Sequence, residues 1–160
     1  MFKFLRSIFS KGESIPKSTS EHLVLDSSKV SDMCFGNFGV RPVLADASYA
    51  CPTKKWVGKF FVWYRWCCAR VGVVWKGCYD CDDFARLAAA FAQISHYLSD
   101  CEDKPQGLAF GEFWYDSELG PHAVNIILIE DSEAIWYEPQ TGKELNLTDE
   151  EKESCCHIRF

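Results

Sequence analysis

The sequence lacks an excess of positive charge. Lys and Arg number 17 against 23 Asp and Glu in 160 residues, a formal net charge of −6. Non-specific binding to nucleic acid needs a basic face that displaces counterions from phosphates. No interleaving of basic and aromatic residues supplies one here, so no nucleic acid is expected as a partner. Long apolar runs are also lacking. No stretch approaches the ~20 residues of a membrane-spanning helix. The opening Met1–Phe9 is apolar, but Lys3 and Arg6 interrupt it, short of the ~7–15 residues of a signal-peptide core. A short amphipathic helix with Phe2, Leu5 and Phe9 on one side is expected there. One such helix binds membranes poorly, so it is read as a docking segment, with no stable membrane insertion. No internal repeat is present.

Cysteine and aromatic residues are plentiful. The nine cysteines are Cys34, Cys51, Cys67, Cys68, Cys78, Cys81, Cys101, Cys155 and Cys156. The number is odd and two pairs are vicinal, which argues against a disulfide framework. Reduced thiols and a cytoplasmic location are expected. With 12 Phe, 6 Trp and 6 Tyr, and 48% apolar residues, the chain has ample material for one packed core. Residues 10–20 are polar and rich in breakers. The division is therefore residues 1–20 as an N-terminal segment and linker, and 21–160 as a single domain.

Residues 36–52, with Gly36, Gly39, Pro42 and Pro52, are expected to be irregular. From Lys54 to Arg70, the residues Trp56, Phe60, Trp63 and Cys67 are spaced for one helical face. Residues 82–99 give the clearest helix, with Phe84, Leu87, Ala88, Phe91 and Leu98 along one stripe. Asp82 and Asp83 lie in its first turn, where acidic groups suit the positive dipole end. After Pro105 the pattern changes to strands: Gly107–Tyr115, then Ala123–Glu130, a turn at 131–133, Ala134–Glu138, and a short strand within 156–160. Helices first and antiparallel strands second is an α+β order.

One constellation carries chemistry. Gly77-Cys-Tyr-Asp-Cys81-Asp-Asp-Phe-Ala85 places Cys81 at the start of the best helix. There the free backbone N–H groups and the dipole are expected to favour a thiolate and to hold an oxyanion. His122 follows Gly120-Pro121 at the mouth of a strand. Glu138 ends the next strand and lies beside His122 through the hairpin, so a carboxylate can fix the imidazole. Asn125 and Gln140 are rival orienters. Trp75 and Gln93 are candidates for an oxyanion donor.

The order of helix-capping Cys, strand-opening His and an acid-Pro pair one strand later resembles the transglutaminase-like core within the papain-like superfamily. Asp80-Cys81-Asp82-Asp83-Phe84-Ala85 is similar to the signature of bacterial transglutaminase-like cysteine proteinases, and His122-Ala-Val resembles their His-Ala-(Trp/Val) strand. Glu138-Pro139 stands where many relatives have Asp-Pro. The resemblance covers residues 75–142. It implies a papain-like or transglutaminase-like fold, with N-terminal helices packed on a C-terminal antiparallel sheet. It implies a Cys81–His122–Glu138 triad in a cysteine hydrolase or acyltransferase. The bond attacked would be an amide, isopeptide or thioester in a protein or peptide substrate. No cofactor is required, although Asp80 and Asp82 match positions that bind calcium in those proteinases. Capping of the helix is their plainer role.

Two alternatives belong to other classes. Cys78 and Cys81 form a CxxC, and Cys155-Cys156-His157 could complete a structural zinc site. Alternatively, an inactive domain of the same fold could bind or inhibit a protein through exposed aromatics such as Trp63, Trp66, Trp114 and Tyr115, although aromatics so spaced are more often core.

Overall fold

The computed structural model describes residues 14–17, 23–77, 79–99 and 107–160. Among these residues, two sheets and four helices follow in the order β1 (Leu23–Asp26), α1 (Ser27–Phe38), β2 (Ser48–Cys51), α2 (Lys54–Val71), α3 (Cys81–Tyr97), β3 (Gly107–Leu108), β4 (Phe110–Ser117), β5 (Gly120–Leu128), β6 (Ala134–Glu138), β7 (Lys143–Leu145), α4 (Asp149–Glu153) and β8 (His157–Arg159). The larger sheet is antiparallel throughout, in the order β7-β6-β5-β4-β8. The smaller one runs β1-β2-β3, its last pair parallel. The fold is α+β, as its sequence order implies.

Strand alternation gives the large sheet two apolar faces. Phe110, Ile127, Ile135 and Tyr137 face one way and pack with Trp56, Phe60, Phe61 and Tyr64 of α2 and Ala88 and Ala92 of α3. Phe113, Val124, Ile126, Trp136 and Ile158 face the other way, onto Val30, Cys34 and Phe38 of α1. The sheet is thus a middle layer between helices. Phe60, Phe61 and Phe110 are at most 1% exposed, and each such side chain contributes roughly 1.5–3 kcal/mol by leaving water. Phe61 stacks on Tyr137 with ring centroids 4.5 Å apart, which fixes α2 against β6.

Local signals set the helix ends. Thr53 Oγ1 accepts from the Trp56 amide at 3.1 Å to cap α2, and Gly72 ends it in the left-handed region at φ 72°. In α3, Asp83 accepts from the Asp80 amide at 3.4 Å, the return bond of a capping box. This start places Cys81 as the first residue of α3, against β5.

Three expectations need correction. Residues 36–52 are not all irregular: α1 runs through Gly36 to Phe38, and Ser48–Cys51 is a strand. The pairing of β2 with both β1 and β3 supplies the order that its own four residues do not encode. The long strand expected over Gly107–Tyr115 is split, with β3 in the small sheet and β4 in the large one. Part of the expected linker is docked: Ile15 is buried, and the Pro16 carbonyl accepts from Trp56 Nε1 at 3.0 Å and from Ser95 Oγ. The helix expected over residues 1–9 lies outside the described residues.

Candidate functional site

The β4–β5 hairpin turns after Ser117, which pairs with Gly120. Counting back from this turn, Tyr115 lies opposite His122 and Trp114 opposite Ala123. Trp114 also pairs with His157 of β8, so the rim of the sheet gathers residues from three strands. The start of α3 closes over it. The result is a pocket of about 210 Å³ lined by Asp80, Cys81, Asp82, Trp114, Tyr115, Pro121, His122, Ala123 and Cys156.

His122 and Glu138 come together as their strands imply. His122 Nε2 lies 2.8 Å from Glu138 Oε2, with the two side chains 26% and 14% exposed. The other oxygen, Glu138 Oε1, accepts from the Gln140 amide at 2.9 Å. The carboxylate is therefore held by backbone and holds the imidazole in turn. Neither rival takes that place. Asn125 is buried and donates to the carbonyls of Ala85 and Gly111 at 2.8 and 3.0 Å. Gln140 serves through its backbone. The Tyr115 ring meets His122 edge-on, centroids 5.8 Å apart. Burial pushes the Tyr115 hydroxyl up to about 12, with the Glu151, Glu138 and Cys81 charges acting the same way. It is a neutral donor in this wall.

Cys81 lines the same pocket, but its electrostatics reverse the expectation. Burial raises its thiol above the ordinary value of 9.0, and the charges of Asp80 and Asp82 add to that. Hydrogen bonds from the backbone of Ala123 and Asp82 act the other way without winning. The helix start therefore does not lower the thiol's pKa, because burial, the largest cause, outweighs the backbone N–H groups and the neighbouring carboxylates add to it. Among the described residues no hydrogen bond joins Cys81 to His122.

Asp80, Asp82 and Asp83 each place a carboxylate oxygen within 4.8 Å of the others. The Asp80 pKa is raised and the Asp82 pKa lowered, each chiefly through the hydrogen bond between them. Arg86 reaches Asp82 at 3.1 Å, Asp83 at 3.6 Å and the buried Glu112 at 3.6 Å. The oxygen donors suit calcium in type, and Arg86 balances part of their charge.

The other candidates resolve into structural roles. Gln93 clamps β3, donating to the Leu108 carbonyl and accepting from its amide, both at 3.0 Å. Trp75 is 61% exposed and is not among the residues lining the pocket. Trp63 and Tyr115 are buried, and Trp66 is half-buried against the α2 side of the core, away from the pocket lining, which leaves Trp114 as the proposed binding aromatic that is half open at this rim. The zinc constellation does not assemble among the described residues: the one gathered set of ligands is the aspartate trio. Cys155 Sγ turns to the His157 carbonyl at 3.8 Å and Cys156 Sγ to that of Trp114 at 3.6 Å, while Cys78 lies outside the described residues. The described cysteines are free. Sequence reasoning missed Cys156 and Pro121 as wall residues, since only the pairing of β8 with β4 brings Cys156 to the rim.

No family model matches the chain, and no curated protein matches it. Solved structures do share its fold. One is a lectin of Polyporus squamosus bound to the human-type influenza-binding epitope Neu5Acα2-6Galβ1-4GlcNAc, with TM-score 0.68, 16% identity and coverage of 86% of this chain and 50% of that one. Another is the PSL1a-E64 complex, with TM-score 0.68, 17% identity and coverage of 86% and 51%. The chain spans about half the length of these structures. This finding overturns the expected cysteine hydrolase or acyltransferase: the fold is shared with about half of a lectin chain that is bound to a sugar.

Proposed function

We propose that this chain is a carbohydrate-binding domain whose site is the pocket between the start of α3 and the β4–β5 rim. The observation that carries the reading is the chemistry of that wall. Asp80 and Asp82 offer carboxylate acceptors, which make the strong, charge-assisted hydrogen bonds that sugar hydroxyls seek. His122, held by Glu138, and the neutral Tyr115 hydroxyl add directed polar groups. Trp114 and Pro121 supply flat apolar surface for the C–H face of a pyranose. A volume of about 210 Å³ is below the roughly 300–1,000 Å³ of sites for drug-sized ligands and suits one sugar residue. The fold shared with a glycan-bound lectin supports the same reading. The transglutaminase-like resemblance is retained for the fold alone. Cys81 opening α3, with His122 and Glu138 on neighbouring strands, supports it there without its chemistry.

The test is a glycan array that includes Neu5Acα2-6Galβ1-4GlcNAc, followed by calorimetry on the best binder. Trp114→Ala and Asp82→Asn are expected to weaken binding at least tenfold while the fold is kept. Glu138→Gln is expected to weaken it less, since the amide still holds the imidazole. Silence across the array, or affinity unchanged in Trp114→Ala and Asp82→Asn together, would exclude this pocket.

A further inference from the structure

On the exposed face of α2 a second groove of about 450 Å³ is lined by Ser14, Pro16, Lys54, Lys55, Gly58, Lys59, Val62 and Trp63. Lys55, Gly58, Lys59 and Val62 follow the i, i+3, i+4, i+7 spacing of one helix stripe. Three features of it, the Lys55 and Lys59 pair, Gly58 and Val62, answer to no ion pair or packing need among the described residues. Lys54 and Lys55 occupy the first turn of α2, which holds no acidic residue, although the positive dipole end disfavours cations. Among the described residues only Lys54 of the three lysines has an ion pair, with Glu144. Gly58 lies inside the helix, where glycine is unfavourable relative to alanine, yet a Cβ placed there meets nothing within 4 Å. Packing therefore does not require it. Val62, one turn further on, is 69% exposed.

On a chain of net charge −6, we infer that this groove is a second saccharide subsite, selective for a sugar that bears a carboxylate. The inference rests on the carbohydrate-binding reading and extends it to another face. The missing Cβ at Gly58 lets a ring lie against the helix backbone. Pro16 and Val62 meet its apolar face, and the Lys55 and Lys59 ammonium groups reach its carboxylate from flexible stems. Neutral sugars lack the partner for these cations. Charge complementarity thus selects the occupant.

The experiment is an amide NMR titration of the full chain with three probes: Neu5Acα2-6Galβ1-4GlcNAc, the neutral Galβ1-4GlcNAc, and hexagalacturonate. At least one acidic probe is expected to shift the amides of Lys55, Gly58, Lys59 and Val62 saturably, and the neutral disaccharide is expected to leave them still. The α2 response is expected to fall at least tenfold in affinity in Lys55→Glu/Lys59→Glu and to weaken from 50 to 300 mM salt. Gly58→Leu fills the groove and is expected to abolish the response while raising the melting temperature, which separates lost binding from lost folding. Amides that stay still with both acidic probes overturn the subsite, as do shifts from the neutral sugar alone or shifts that survive charge reversal. The Ala123 and Trp114 amides report the first pocket independently. Failure there with a response at α2 refutes the first site and leaves the second standing.

Discussion

At the residue scale, the decisive contrast is between Cys81 and its neighbours. A cysteine opening a helix is expected to lose its proton easily, yet burial first, and Asp80 and Asp82 after it, hold the Cys81 thiol above its ordinary value. Cys156 is exposed, and Cys34, Cys51, Cys67 and Cys155 are buried with thiols pushed up to about 12. Among the described cysteines, the expected order of alkylation by iodoacetamide is Cys156 first, Cys81 next and the five buried ones, Cys68 included, last. Labelling of Cys81 is expected to keep accelerating past pH 9.0, its ordinary value. Replacing Asp80 and Asp82 by Asn removes negative charge, so it favours the thiolate and is expected to move that profile to lower pH. Mass spectrometry of each peptide across the pH series checks this. A Cys81 profile that levels off near neutrality would show that burial and the carboxylates do not hold the thiol up.

At the scale of elements, glycine positions give paired predictions of opposite sign. At Gly111 a Cβ would run into the Arg159 carbonyl of β8, a backbone group that cannot step aside. Gly111→Ala is expected to destabilise the domain by about 1–3 kcal/mol and to loosen the strand that carries Cys156 to the rim. Gly58→Ala meets open space and gains helix propensity, so it is expected to stabilise by about 0.5–1 kcal/mol. Chemical denaturation of the two variants measures both signs. Elements with strong periodicity were legible from sequence. The Trp56/Phe60/Trp63/Cys67 stripe gives α2, the Ala-rich stripe after Cys81 gives α3, and the Asp131–Glu133 turn gives the β5–β6 hairpin. Helix α1 was not legible, because Gly36, Asn37 and Gly39 read as loop. It is held by Asp26, which accepts from the Lys29 amide at 2.8 Å, and by Val30, Cys34 and Phe38 packing on the sheet. Strand β2 is too short to announce itself and is ordered by its neighbours.

For the whole molecule, pairing between strands distant in sequence decides what the site contains. The His122–Glu138 contact could be anticipated because one hairpin joins their strands. The membership of Cys156 could not, since β8 reaches β4 from the far end of the chain; Trp114 and Tyr115 could be named as binding aromatics but not assigned to a rim, because aromatic residues in alternating strands look the same whether they face a core or a rim. A truncation that removes β8 tests this dependence. Loss of residues 155–160 uncovers the Phe113 and Tyr115 side of β4 and is expected to abolish glycan binding and lower the melting temperature together. Binding that persists in the truncated chain would place the sugar elsewhere.

The two pocket thiols are a built-in reporter for the proposed sugar site, because Cys81 and Cys156 both line it while Cys34, Cys51, Cys67, Cys68 and Cys155 do not. The measurement is the rate of iodoacetamide labelling at each cysteine, with and without a saturating amount of the best-binding glycan. The glycan is expected to slow Cys156 and Cys81 together, severalfold, and to leave the other five described cysteines unchanged. Unchanged rates at both pocket thiols under saturating glycan would contradict it. So would an absence of glycan binding with Cys81 labelled ahead of Cys156 at neutral pH.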